Sequence, residues 1–127
     1  MRPDIREVIK KKRLWFDGAT GTVLQSMDLP AGEAPEQWNL SHPDVIESLH
    51  RSYIGAGCNI IKTNTFGVNP SKYENWREMI AAAMKCARAA RGDREDVYIA
   101  FDIGPTGRLC EPLGDLPFEE AVALFSE

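Results

Sequence analysis

An α/β fold built on a parallel sheet is the class this sequence predicts, on three observations. Helical and extended patterns alternate along the chain in the order helix, strand, helix, strand, helix, strand and the start of a further helix, the signature of βαβ units. The extended runs at residues 14–17, 59–63 and 97–102 are nearly all apolar, as strands are when both faces of their sheet are covered. Each run ends in short polar groups and glycine. That puts ligand-type chemistry at the strand C-terminal ends, as in both a (βα)8 barrel and an open doubly wound sheet.

The bulk numbers narrow the class. With 127 residues the chain is long enough for one domain with a real core, and 43% hydrophobic with 27% charged residues is an ordinary globular balance. A net charge of −4 gives no global attraction for nucleic acid. No apolar stretch approaches the ~18 residues that cross a bilayer, and the N-terminus has no apolar core of a secretory signal, so no membrane is expected and a cytoplasmic location is the default. Cys58, Cys86 and Cys110 are odd in number and widely spaced, which suits neither a disulfide framework nor a local zinc knuckle. Cys58 and Cys86 read as small hydrophobes to be buried, while Cys110 falls in a loop.

In chain order, Ile5, Val8 and Ile9 mark a short amphipathic helix within residues 4–12, with Lys10-Lys11-Lys12-Arg13 as its solvated last turn. Residues 14–17 form the first strand, expected to be buried. Residues 22–27 suit a short helix, and 35–40 read as irregular, with Trp38 as a core plug. A second helix starts at Ser41-His42-Pro43-Asp44, with Ser41 as cap and Pro43 in the first turn, and places Val45, Ile46, Leu49, Tyr53 and Ile54 on one face. His50 reads as a helix surface residue and His42 as part of the cap region. After the second strand at 59–63 comes a loop, then a long helix at 76–91 with an apolar stripe of alanines, Met79, Ile80, Met84 and Ala87. The third strand is 97–102, and a last helix opens near Asp115-Leu116-Pro117.

The stretch with most chemistry is Phe16-Asp17-Gly18-Ala19-Thr20-Gly21-Thr22. Glycine lets the backbone close on a ligand, converging backbone N–H groups attract an anion, and the Asp17 carboxylate beside them attracts a cation. Together they suit a zwitterion, that is, an amino acid. A strand followed by an ordinary turn, with Asp17 helping the turn, explains the same residues. The spacing fits neither a P-loop nor a dinucleotide fingerprint. The pattern returns at Phe101-Asp102-Ile103-Gly104-Pro105-Thr106-Gly107, and Lys62-Thr63-Asn64-Thr65-Phe66-Gly67 ends the strand between them.

Taken in order, Asp17-Gly18-Ala19-Thr20-Gly21-Thr22, Trp38-Asn39-Leu40, His50-Arg51-Ser52-Tyr53-Ile54, Thr63-Asn64-Thr65-Phe66-Gly67 and Asp102-Ile103-Gly104-Pro105-Thr106-Gly107 closely resemble the N-terminal part of the homocysteine S-methyltransferase domain, of the cobalamin-dependent methionine synthase type. The likeness spans nearly the whole chain. It implies that residues 1–127 are an N-terminal fragment, the first three βα units of a (βα)8 TIM barrel, since such barrels need about 250 residues. It implies methyl transfer to the zinc-bound thiolate of homocysteine to give methionine, with zinc and methylcobalamin as cofactors of the full-length enzyme. In that family zinc is held by cysteines in Asn-Cys and Gly-Gly-Cys-Cys segments. Neither segment occurs here, so no zinc ligand is assigned to this chain and the chain alone is expected to be inactive.

Carried over by residue, the resemblance has Asp17 bind the substrate amino group. Backbone N–H groups around Gly18 and Ala19, with Thr63 and Asn64, would hold its carboxylate. Asp102 and Gly104 to Thr106 line the same mouth as architecture. The expected partners are homocysteine, the rest of the barrel, and cobalamin and folate domains. Two alternatives stand beside this reading. One is a free-standing half-barrel that binds an amino acid or self-associates to protect its open edges. The other is a betaine- or S-methylmethionine-dependent relative without cobalamin.

Overall fold

The computed structural model describes all of residues 1–127. Its elements are α1 (Ile5–Val8), α2 (Gly21–Ser26), a 3-10 turn (Pro35–Gln37), α3 (Trp38–Ser41), α4 (Pro43–Gly55), β1 (Ile60–Lys62), α5 (Trp76–Arg91), β2 (Tyr98–Ala100) and α6 (Phe118–Ser126). β1 and β2 pair in parallel, with Ile60 opposite Tyr98, Ile61 opposite Ile99 and Lys62 opposite Ala100. Phe16 bridges Ile60 in the same parallel sense, so the three extended segments lie side by side in chain order.

Side chains alternate across a strand, and here the alternation sorts the two faces of the sheet. Ile61 and Ile99 point to the helical layer, where they pack with Ile54 of α4, Ala87 and Ala90 of α5, and Val97. The small residues on α5 let the two helices approach the strands closely. A second cluster, Leu24, Leu29, Trp38, Ile46, Leu49 and Cys86, ties α2 and α3 to the same pair of helices. Each fully buried aliphatic side chain in these clusters contributes about 1.5–3 kcal/mol. Trp38 is thus a core plug, as expected.

Four local expectations differ from what is observed. The segment at residues 14–17 is an edge rather than a buried strand, because Trp15 and Phe16 are 61% and 57% exposed and the segment pairs only on its β1 side. Residues 35–41 are helical rather than irregular: Pro35 starts a 3-10 turn that runs directly into α3. Ser41 therefore ends α3 instead of capping α4, its hydroxyl donating to the Gln37 carbonyl, and His42 occupies the N-cap position. His50 lies in the core, not on the surface, at 1% exposure. It falls at the centre of the i, i+4, i+8 row of Ile46, His50 and Ile54, which α4 turns inward. Burial pulls its pKa down to about 4, and neither ring nitrogen has a partner in the protein.

Candidate functional site

The site lies at the C-terminal end of the sheet and is assembled from three turns. The first is the sharp turn after Phe16. Asp17 donates its backbone N–H to the Ile60 carbonyl, and its side chain then continues the ladder: Asp17 Oδ2 accepts the Lys62 backbone N–H at 2.9 Å. That bond draws the carboxylate inward until its side chain is 1% exposed. The second oxygen, Oδ1, is buried and accepts no hydrogen bond; the nearest cation is Lys62 Nζ at 3.9 Å. Burial pushes the Asp17 pKa up, the Lys62 amide and ammonium oppose that rise, and the nearby charge of Asp102 adds to it. A carboxylate oxygen left without a donor in such a place has strong demand for one.

Gly18 and Ala19 follow, both exposed, and the backbone N–H groups of Gly18, Ala19 and Thr20 donate no hydrogen bond within the protein. The backbone passes close to Tyr53 of α4, whose hydroxyl donates to the Ala19 carbonyl at 2.6 Å. A Cβ on Gly18 would stand 2.8 Å from that hydroxyl, which explains why glycine occupies the position. Tyr53 thereby ties the turn to α4 through a carbonyl and leaves its amides without a partner.

Thr63 and Asn64, just past the end of β1, are buried, and their side-chain donors are engaged. The Thr63 hydroxyl accepts the Asp102 backbone N–H at 3.1 Å and lies 2.7 Å from the Thr65 hydroxyl, which donates to the Asp102 carbonyl at 2.7 Å. Since Thr65 spends its proton on that carbonyl, Thr63 must donate to Thr65, and no hydroxyl proton remains for a ligand. The Asn64 amide donates to the Pro35 carbonyl at 2.8 Å and to Asn39 Oδ1 at 3.1 Å, while Asn39 donates back to the Asn64 carbonyl at 2.7 Å. Both residues thus lock neighbouring turns to the strand end. Their side chains keep no free donor for a carboxylate, and the Asn64 backbone N–H is the one donor of the pair without a partner in the protein.

A cavity of about 570 Å³ opens over these turns, lined among others by Thr20, Glu36, Lys62, Asn64, Phe66 and Asp102. Glu36 was not singled out by the sequence. It is buried, and its Oε1 accepts the Gly67 backbone N–H at 2.7 Å, joining the 3-10 turn to the loop after β1. Its only sequence signal is an acid placed just before Trp38-Asn39 in a segment that looks irregular. Another cavity of about 570 Å³ lies at the opposite end of β2, beside Lys11, Lys12, Glu95 and Asp96. There the acids are already engaged, Asp96 with Arg94 and Glu95 with the N-terminal amine.

The cysteines do not converge. The Cys58 thiol donates to the Phe16 carbonyl, and burial with the Asp17 charge pushes its pKa up; Cys86 is buried in α5, and Cys110 is exposed. No group of three or more His, Cys, Asp or Glu is placed to hold a metal ion. The residues of this chain therefore do not fit a zinc site. No helix is long and apolar enough to cross a membrane.

The profile of the family described as homocysteine S-methyltransferase matches residues 14–127. A methionine synthase from Mycobacterium tuberculosis is 39% identical over 74 residues, which cover 54% of this chain and 6% of that protein. One from Mycobacterium leprae is 38% identical over 74 residues, with the same coverage. Among solved structures, the homocysteine methyltransferase MmuM from Escherichia coli superimposes with a TM-score of 0.71 in its metallated form at 20% identity, covering 81% of this chain and 42% of that one. Its oxidized form gives 0.71 at 21% identity, covering 41% of that chain. This likeness is one of α/β fold. The chain spans less than half the length of the relatives it matches.

Proposed function

The chain belongs to the homocysteine S-methyltransferase family, and from that premise we propose that it forms the first three βα units of a (βα)8 barrel and carries the amino-acid end of a homocysteine site. The single observation behind this is Asp17 Oδ1, a buried carboxylate oxygen with no donor, set beside the free amides of Gly18 and Ala19. The substrate ammonium would supply the missing donor and the amides would meet the carboxylate. Thr63 and Asn64 act one step removed: they hold the second and third turns in place through Asp102, Pro35 and Asn39.

The methyl acceptor in this reading is the homocysteine thiol and the product is methionine. Zinc would lower the proton affinity of that thiol when bound, but no residue of this chain is assigned to it. Methylcobalamin is our choice of donor, on the likeness of the segment from Asp102 to Asp115 to the cobalamin-dependent type. The protein would work in the cytoplasm. Exposed Trp15, Phe16 and Phe101 at the sheet mark surface that the rest of a barrel would cover, and the 127 residues alone are expected to be inactive.

The test is methionine formation from homocysteine by the protein at its natural length. Turnover with methylcobalamin, and none by residues 1–127 alone, is the expected result. Turnover with S-methylmethionine or betaine in place of methylcobalamin would move the protein to the cobalamin-independent branch. Absence of turnover with every donor would overturn the reading.

A further inference from the structure

The strand-end site has one cation, and its place is unexplained by packing. Of the groups expected to meet an amino-acid carboxylate, Thr63 and Asn64 have already spent their side-chain donors, which leaves only backbone amides. The adjoining cavity carries the acids Glu36 and Asp102, and Asp17 lies beside it. A carboxylate entering such surroundings meets like charge on several sides, which amides alone do not neutralise. Lys62 is the only cationic residue that lines this cavity. It sits on β1 next to Thr63, its side chain is 40% exposed, and its Nζ donates no hydrogen bond in the protein. At 3.9 Å from Asp17 Oδ1 it stands near that oxygen without satisfying it.

We propose that Lys62 binds the α-carboxylate of the amino-acid substrate, so that Asp17 Oδ1 and Lys62 Nζ hold the two ends of one zwitterion. The ammonium and carboxylate of an α-amino acid sit on the same carbon, so their separation suits a pair of protein charges this close. The four charges then alternate in sign around a small ring, and every nearest neighbour attracts. A contact between Lys62 and Asp17 alone would be a partly exposed ion pair of little worth. This inference rests on the amino-acid reading of the site and names the residue that reads the carboxylate.

The experiment is calorimetric titration of the natural-length protein with L-homocysteine and with its decarboxylated analogue, 3-aminopropane-1-thiol. Lys62→Met should weaken homocysteine about 10-fold or more, the scale of one charge-assisted hydrogen bond. The same change should leave the decarboxylated analogue unaffected, and Lys62→Arg should retain most of the homocysteine affinity. Equal weakening of both ligands, or of neither, would overturn the role of Lys62. An unaltered protein that binds neither ligand would overturn the amino-acid reading and the Lys62 role together. Preference for another amino acid, weakened in the same way by Lys62→Met, would uphold Lys62 and remove homocysteine as the ligand.

Discussion

Two turns in this protein share one sequence pattern and do different work. After Phe16 and after Phe101 the chain runs Asp, then glycines and a threonine, at the C-terminal end of a parallel segment. Asp17 turns its carboxylate into the sheet, uses one oxygen to extend the ladder to the Lys62 amide, and leaves the other without a donor. Asp102 is held by its backbone, its N–H on Thr63 and its carbonyl on Thr65. The glycines differ as well. Gly18 lies against the tip of the Tyr53 side chain, whereas a Cβ on Gly104 would stand 2.0 Å from the Phe66 carbonyl oxygen. The first turn thus keeps an unpartnered carboxylate oxygen and is propped by a movable side chain, and the second is a rigid strut. A motif becomes a site through the partner that its side chain lacks.

The largest effect should come from the strut. Gly104→Ala drives a Cβ into backbone that has no rotamer to yield, and a loss of about 3 kcal/mol or more in chemical denaturation is expected. Asp17→Asn comes next, lowering homocysteine affinity about 100-fold by titration, the scale of one desolvated charge pair. Asp102→Asn should change that affinity about 3-fold at most, since its hydrogen bonds run through the backbone and only a nearby charge is lost. Equal effects at the two aspartates would erase the distinction between the turns.

A further contrast lies in stability against pH. The Asp17 pKa is raised in the folded protein, so only between the unfolded and folded values does its carboxyl keep a proton that the unfolded chain has released. Its contribution is therefore fully present below the ordinary carboxylate pKa and is lost as pH rises through the folded value. Asp17→Asn keeps an oxygen for the Lys62 amide and removes the buried charge, so it should raise the melting temperature at pH 7 while it abolishes tight binding. A lowered melting temperature would mean that the charge is compensated after all. Of the two glycine changes the smaller effect is Gly18→Ala, at about 1 kcal/mol in chemical denaturation, because the Tyr53 ring can swing aside.

The layered α/β order was legible because apolar runs and helical periods alternate cleanly, and α5 begins and ends where its pattern does. The turn after Phe16 was legible because an acid and glycines follow an apolar run, but that Asp17 leaves one buried oxygen without a donor shows only in the folded chain. His50 was misread because a histidine is polar by type, although its place midway between Ile46 and Ile54 already assigned it to the inward row. The helical turns at 35–41 were hidden by Pro35, which suits a helix start as well as a loop. The engagement of Thr63 and Asn64 was beyond reach of sequence, because their partners, Asp102, Pro35 and Asn39, come from elements that meet only in the folded chain. Glu36 was missed for the same reason.

The central claim is that Asp17 holds the ammonium group of homocysteine. The most direct measurement is a binding cycle in the natural-length protein, with and without Asp17→Asn, using homocysteine and its deaminated analogue 4-mercaptobutanoate. The account predicts that either change alone weakens binding about 100-fold and that both together cost little more than one, since they remove the same contact. Deamination that costs as much with Asp17→Asn as without it would show that the ammonium is held elsewhere, and would contradict the account.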